Sequence, residues 1–254
     1  MKKPTRILLI LLVVGDLLCA ADWWEEKPFT EWSGKQVDRI LNDSPWAKTH
    51  TITIINPAID GERTFESVGR GDLEREKRNL FHIRLLTAKP IRMASARRWL
   101  LNAPDQAAPD WLERFVESSD DQHIVLAMTV TSRPPSASSL NAYATELLSL
   151  RTSDLADNTF LSTKTGKRVY LTRYEPPGQD GLGAKYYFPR RLKDGTLVVA
   201  PQDREVRFQT RVTLRELSIG TLGGVLPPRE VSRTDKIRAI FKVKQLIFKG
   251  RQEI

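Results

Sequence analysis

The chain has 254 residues and a formal net charge of +9 at pH 7, with 28% charged and 40% hydrophobic residues. These proportions are typical of globular proteins, and they exclude a wholly disordered chain, a coiled coil and a collagen-like fibre. The single Cys excludes a disulfide framework, and three His argue against a zinc site built only from protein ligands. A chain of this length can form a stable hydrophobic core without disulfides or bound metal.

The first 21 residues have the three parts of a secretory signal peptide. A positive head (residues 2–6) precedes an apolar run (residues 7–14), and small residues follow at 19–21. The run is shorter than the roughly 20 apolar residues of a membrane span, and Asp16 interrupts it. We therefore expect cleavage after Ala21 and an exported chain, periplasmic or extracellular, with no integral membrane domain. The alternative is a chain anchored by an uncleaved N-terminal segment.

The C-terminal end is basic. From position 229 to 254 there are eight basic residues against three acidic ones, a net charge of +5. On an exported protein such an end suits anionic envelope polymers or lipid headgroups, and the alternative is an ordinary solvated strand face. We take Lys242 and Lys244 as candidate contacts for a partner.

Four segments have the pattern of amphipathic helices. In the first, Ser33 and Gln36 have the spacing of a capping box. Two more helices are predicted to open at Pro90 and Pro109, because proline favours the first helical turn. The most regular apolar periodicity follows the serine-rich residues 136–139.

Alternating apolar and polar residues predict strands between and after these helices. The predicted strands cover residues 51–55, 80–87, 123–130, 159–163, 167–174, 186–188, 206–214 and 239–248. We expect an α+β fold, with a largely antiparallel β-sheet and about four helices, mostly in the N-terminal half, packed on one side. No linker separates the helix-rich residues 22–157 from the strand-rich residues 158–254, so we expect a single domain after the signal peptide.

The sequence contains no assembled catalytic or metal-binding motif. His50, His82 and His123 are isolated and form no H-E-x-x-H pattern, which indicates ordinary packed or hydrogen-bonded imidazoles. No G-x-S-x-G occurs. Residues 164–166 match the K-T-G triplet of penicillin-binding enzymes, but no S-x-x-K accompanies it, so we interpret the triplet as a hairpin turn. We therefore predict no catalytic, cofactor or metal site.

Tryptophan is concentrated near the start of the chain, at Trp23, Trp24, Trp32 and Trp46. Exposed rings anchor interfaces or stack on sugars, whereas buried rings pack the core. Trp46 follows the predicted first helix, where either role is available. We keep both for Trp46: core packing, or contact with a partner.

Two stretches resemble a group of exported bacterial proteins of unknown function. Residues 29–32 read F-T-E-W, and residues 40–48 read I-L-N-D-S-P-W-A-K. The group shares a Trp-bearing short helix, then S-P-W-A-K and a strand, and residues 241–250 are similar to its terminal strand. The resemblance implies export and a shared fold, and it implies no catalytic residue.

Together these features favour a non-catalytic binding or structural component of the periplasm or cell envelope. Its expected partner is an envelope protein or an anionic envelope polymer, and not nucleic acid, because the chain has an export signal and no nucleic-acid motif. The alternative is an envelope hydrolase whose catalytic residues are scattered in the sequence. A deep pocket with two convergent titratable groups would favour that alternative.

Overall fold

The computed structural model describes residues 23–55, 76–133, 137–218 and 229–254. The helices are α1 (Trp23–Glu26), α2 (Gly34–Asn42), α3 (Lys89–Asn102), α4 (Asp110–Glu117), α5 (Ala137–Ser149) and α6 (Thr152–Leu155). The four longer ones correspond to the predicted helices, and α1 and α6 are additional single turns. Short 3-10 turns lie at Phe29–Glu31 and Val243–Gln245. The predicted signal peptide lies outside the described residues.

The described residues form eleven strands, which alternate with these helices and then dominate the C-terminal part. They are β1 (Ala47–Ile55), β2 (Glu76–Leu85), β3 (His123–Arg133), β4 (Phe160–Thr163), β5 (Arg168–Tyr170), β6 (Arg173–Glu175), β7 (Ala184–Pro189), β8 (Glu205–Ser218), β9 (Arg229–Lys242), β10 (Ile247–Phe248) and β11 (Arg251–Gln252). All of their pairings are antiparallel. The predicted α+β class is confirmed, with the helices mostly N-terminal.

The strands form two main sheets rather than one. The first sheet has the order β1-β2-β3-β7-β6, the second has the order β5-β4-β8-β9, and β10 and β11 make a separate hairpin. The tight turn at residues 164–166 joins β4 to β5, with Gly166 at φ +89° and the Thr163 N–H donating to the Lys167 carbonyl at 2.9 Å. The interpretation of the K-T-G triplet as a hairpin turn is confirmed.

The chain crosses between the two sheets within residues 171–172. The Leu171 N–H donates to the Thr159 carbonyl at 3.0 Å, beside the second sheet, and the Thr172 N–H donates to the Tyr187 carbonyl at 2.9 Å, in the first. Residues 167–174, predicted as one strand, are therefore two strands in different sheets. At the opposite side β1 lies alongside β9. The two sheets thus adjoin at both sides around a shared core.

Aromatic rings fill the space between the sheets. The ring of Phe208 on β8 lies 5.5 Å from that of Tyr186 and 6.1 Å from that of Phe188, both on β7. All three side chains are fully buried, as are Phe81 and Phe241. Burial of such large apolar groups is the main favourable contribution to folding, so this aromatic core holds the two sheets together.

Helices lie on both faces of the first sheet, not on one side as expected. On the outer face, the Arg84 Nε donates to the carbonyl of Leu41 in α2 at 2.7 Å. On the inner face, the ring of Tyr143 in α5 lies 5.0 Å from that of Phe81. Successive side chains of a strand point to opposite faces, so Phe81 and Arg84 on β2 contact different helices. Among the described residues, no helix is long and apolar enough to cross a membrane.

The N-terminal segment packs against the C-terminal hairpin through tryptophan. Trp46 is fully buried, and its ring lies 6.0 Å from that of Trp24 and 6.3 Å from that of Phe248. The predicted capping box of α2 is present, with reciprocal hydrogen bonds between Ser33 and Gln36. Trp46 therefore belongs to the core and has no surface to offer a partner, so the partner-contact hypothesis for this residue is wrong.

Candidate functional site

The outer face of the second sheet is strongly basic. The side chains of Val206, Phe208 and Val212 on β8 are buried, so the alternating positions between them point outward. The same alternation on β5 and β9 brings further cations to this side. We call this surface the basic face, and its exposed cations are Arg168 on β5, Arg207 and Arg211 on β8, and Lys236, Arg238 and Lys242 on β9.

The strand register places some of these cations directly beside one another. Arg211 is paired with Lys236 across β8 and β9, and Gln209 between the two arginines of β8 is paired with Arg238. Directly opposed like charges in a sheet are unfavourable because they repel at close range. A bound partner of negative charge would relieve this repulsion.

Few of the cations are neutralised by the protein itself. Arg207 forms an ion pair with Glu205. Within the part of the chain that the structure describes, Arg211, Lys236 and Arg238 have no carboxylate within ion-pair distance. The Nε of Arg238 donates only to the neutral Gln209 amide oxygen, at 3.3 Å. The face therefore carries positive charge that is free to meet an anion.

Apolar groups interrupt the charged surface. The Arg168 guanidinium lies 4.4 Å from the centre of the Phe160 ring, and the Tyr170 ring lies 5.9 Å from the Phe160 ring. The side chains of Tyr170 and Ile240 are 47% and 48% exposed. Phe160, Arg168 and Ile240 help to line a shallow depression of about 320 Å³. A partner can thus make apolar contacts as well as ionic ones on the basic face.

Acidic residues lie beside Arg211, at one end of the basic face. A second groove, of about 710 Å³, begins there and is also lined by Glu146 and Asp154. Beyond Arg211, Thr213 on β8 is bonded to Thr234 on β9, with 2.9 Å between their hydroxyl oxygens. Carboxylates therefore adjoin the basic face at the Arg211 end.

The sequence predicted only part of this face. Lys242 lies on it, and Lys244 is exposed in the 3-10 turn that follows β9. Lys236 and Arg238 were missed because the last strand was predicted to start at residue 239, whereas β9 starts at Arg229. The alternation of Ile237 with these two cations was the available signal. The hairpin turn at residues 164–166 predicts the pairing of β5 with β4, but no sequence signal brings β4 beside β8, which depends on tertiary pairing.

Both ring nitrogens of His82 on β2 are within hydrogen-bond distance of threonine hydroxyls. Its Nδ1 lies 3.0 Å from the Thr49 hydroxyl, and its Nε2 lies 3.0 Å from the Thr131 hydroxyl. Burial and then the positive charge of Arg84 lower the pKa of His82 from 6.5 to about 4. The imidazole is therefore neutral at physiological pH and has the structural role that the sequence predicted.

The other two histidines also have polar partners within the protein. The Nδ1 of His123 lies 3.1 Å from the Asp120 carboxylate, in the turn before β3. Burial lowers the pKa of His50, and its ring is hydrogen-bonded to the backbone of Lys236 on β9. In residues 23–55, 76–133, 137–218 and 229–254, no three His, Cys, Asp or Glu side chains are grouped to hold a metal ion.

Comparison with known proteins gives no family for this chain: no family model matches it, and neither does any characterised protein or solved structure. The resemblance to exported bacterial proteins therefore stays a prediction.

Proposed function

We propose that the protein is an exported, non-catalytic binding protein of the cell envelope whose basic face holds an anionic polymer. The observation that carries this proposal is the group of adjacent cations for which the described residues supply no carboxylate partner, with Arg211 directly opposite Lys236. Uncompensated charge of one sign raises the local concentration of oppositely charged partners and speeds their association. The predicted signal peptide supports a location where such polymers occur.

The dimensions of the face favour a polymer over a small anion. Four strands lie about 4.8 Å apart, so the face from β5 to β9 is about 14 Å wide. Along β9, Lys236 and Lys242 are six residues apart, which corresponds to about 20 Å. One small anion cannot reach cations that are spread over this area, whereas a chain with repeated negative groups can.

The apolar groups on the face favour a polymer built of sugars. The exposed ring of Tyr170 and the nearby Phe160 offer flat apolar surfaces between the cations. The C–H face of a sugar ring packs well on an aromatic ring, because both are apolar and flat. We therefore propose a polysaccharide with carboxylate or phosphate groups as the bound chain.

A binding assay with labelled polymers tests this proposal. Polygalacturonate and polyphosphate serve as anionic probes, and dextran serves as a neutral one, each followed by fluorescence anisotropy with the chain purified after export. We expect binding to polygalacturonate that weakens steeply as salt rises, and no binding to dextran. Equal binding to dextran would contradict the proposal, and preference for polyphosphate would reject a carboxylate polymer. Shortening of the polymer during incubation would instead support the hydrolase alternative.

A matched pair of triple variants locates the binding surface. The test variant carries Arg211→Gln, Lys236→Gln and Arg238→Gln on the basic face. The control carries Lys35→Gln, Arg39→Gln and Arg114→Gln, which are exposed on α2 and α4 and lower the net charge equally. We expect the test variant to bind about tenfold or more weakly and with a smaller salt dependence. We expect the affinity of the control to change little. Equal losses in both would show that net charge alone drives binding.

Export is tested separately by sequencing the N-terminus of the chain recovered from an envelope fraction. We expect Asp22 as the first residue. A chain that retains Met1 in the envelope would support the anchored alternative, and an intact chain found only in the cytosol would contradict export.

A further inference from the structure

A cavity of about 300 Å³ lies on the outer face of the first sheet, away from the basic face. Its floor is formed by Arg84 on β2, by Leu86 directly after β2, and by Ala127 on β3. Helices α2 and α3 form two of its sides, and residues 179–182, before β7, form another. We call this cavity the Arg84 pocket. Its volume is in the range of small-molecule sites.

Arg84 is a buried cation with only neutral partners. It is 8% exposed, its Nε donates to the Leu41 carbonyl at 2.7 Å, and its Nη2 donates to the Asn42 amide oxygen at 3.1 Å. In the part of the chain that the structure describes, no carboxylate lies within ion-pair distance of Arg84. Burial, and then the charge of Arg98, lower the pKa of Arg84 to about 10, so it remains charged at neutral pH.

The other charges around the pocket are already matched. Arg98 is paired with Asp38 on α2. The Asp180 carboxylate lies 2.7 Å from the Lys185 ammonium. Arg84 is therefore the one lining cation, among the described residues, whose charge no acidic side chain offsets. Burying a charge without a counter-ion is unfavourable, so an anion that enters the pocket would be stabilised there.

The walls of the pocket are apolar and pre-formed. Its apolar lining comes from Leu41, Leu86, Ile91, Trp99 and Leu182. The wall at residues 179–182 is held by the Asp180 carboxylate, which accepts from the Leu182 N–H at 3.0 Å. Gly183 follows at φ +92°, where a Cβ atom would lie 2.3 Å from the Met128 carbonyl oxygen. This close approach fixes the wall against β3.

We propose that the Arg84 pocket binds a small carboxylic acid with an apolar body, with its carboxylate on the Arg84 guanidinium. A planar guanidinium matches a carboxylate with two parallel hydrogen bonds. A single unmatched cation neutralises one carboxylate, whereas a phosphate dianion would need more positive charge. The apolar walls receive the rest of the ligand. This site lies on the other sheet from the basic face, and it does not depend on polymer binding.

Titration with a carboxylate and its neutral isostere tests the proposal. The probes are 4-phenylbutyrate and 4-phenylbutyramide, and binding is followed by the amide resonances of Ser95 and Gly181, which line the pocket. We expect the carboxylate to bind roughly tenfold to hundredfold more tightly than the amide, because hydrogen bonds to charged groups are strong. Equal affinity for the two probes, or no shift of these resonances, would overturn the proposal.

Two variants test the pocket by different routes. Arg84→Lys keeps the charge and removes the guanidinium fork, and we expect roughly tenfold weaker binding of 4-phenylbutyrate. Ser95→Leu fills the cavity from α3 and leaves Arg84 in place, and we expect binding to be lost while the thermal midpoint stays near that of the parent. Arg114→Lys, exposed on α4, is the control and should bind normally. Unchanged binding in a folded Ser95→Leu chain would place the ligand elsewhere, even if Arg84→Lys fails to fold.

Discussion

The outer faces of the two sheets use arginine in opposite ways. The first sheet is covered by α2 and α3, and its Arg84 is buried against neutral oxygens. Within the described part of the chain, no helix covers the outer side of β5, β8 and β9, and the cations there are exposed. Exposed charges are screened by salt within about 10 Å, whereas a buried charge is screened much less. The exposed face is therefore suited to many weak, salt-sensitive contacts, and the covered face is suited to one selective contact.

This difference in burial predicts which substitutions change stability and which change binding. Removing a buried polar group leaves its partners unsatisfied, whereas an exposed cation exchanges its contacts with water. We therefore expect substitutions on the outer face of the first sheet to change the free energy of unfolding. Substitutions on the basic face should change binding and leave stability nearly unaltered.

The largest effect is expected for Gly183→Ala. Its φ of +92° is unfavourable for alanine, and the added Cβ would meet the Met128 carbonyl oxygen at 2.3 Å. Backbone strain and overpacking together should lower the free energy of unfolding by about 3 kcal/mol. The matched control is Gly195→Ala, at φ +83° with no atom within 4 Å of the added Cβ, which should lose only about 1 kcal/mol. Urea denaturation measures both, and equal losses would show that the clash with β3 is relieved by loop movement.

Arg84→Met is expected to destabilise the protein by about 2 kcal/mol, because the Leu41 carbonyl and the Asn42 amide oxygen lose their donor. Methionine keeps an unbranched apolar stem of similar shape. Arg211→Gln on the basic face removes the same charge and should change stability by less than about 0.5 kcal/mol. The midpoints of urea denaturation measure both changes, provided that the dependence of the unfolding free energy on urea concentration is the same in each chain. A loss at Arg211 as large as that at Arg84 would remove the distinction between the two faces.

His82 makes the stability of the first sheet pH-dependent. Its pKa is lowered from 6.5 to about 4, so the unfolded chain binds a proton that the folded chain does not bind until the lower pH. Stability from this group is therefore constant above about pH 6.5, falls as the pH drops toward 4, and then levels off. Because the ring is only half-buried, we expect a contribution of about 1 kcal/mol.

The measurement is the difference in unfolding free energy between the parent chain and His82→Asn from pH 4 to pH 7. We expect the two profiles to diverge in slope across this interval, with the parent losing more stability on acidification. Parallel profiles would show that His82 titrates normally in the folded chain. His123→Asn, next to Asp120, is a control for the general effect of removing an imidazole.

Local signals predicted much of this molecule from its sequence. The capping box of Ser33 and Gln36 located the start of α2, and alternating apolar and polar residues predicted a strand at 80–87, which overlaps β2. These features depend on residues close together in the chain, where spacing determines which side chains share a face. The predicted hairpin at residues 164–166 is of the same kind.

Features that depend on distant contacts were not predictable in this way. The split of residues 167–174 between two sheets follows from pairing with Thr159 and Tyr187, which no local pattern encodes. The burial of Trp46 depends on Phe248, some 200 residues along the chain. The sequence could not predict that Arg84 would be paired with neutral groups, because those groups lie on α2, far away in the chain. Candidate sites of both kinds, exposed and buried, are thus products of tertiary packing.

The smallest stability effect is expected at Arg168, at the edge of the basic face. Its guanidinium lies 4.4 Å from the centre of the Phe160 ring, a cation–π contact at an exposed site that contributes about 0.5 kcal/mol. Arg168→Gln should therefore lower the free energy of unfolding by about that amount, and Arg168→Lys by less. The same substitution should weaken polygalacturonate binding more clearly than it weakens the fold, because the Phe160 ring loses its neighbouring cation. A loss of stability without a loss of binding would make this contact part of the fold rather than part of the binding surface.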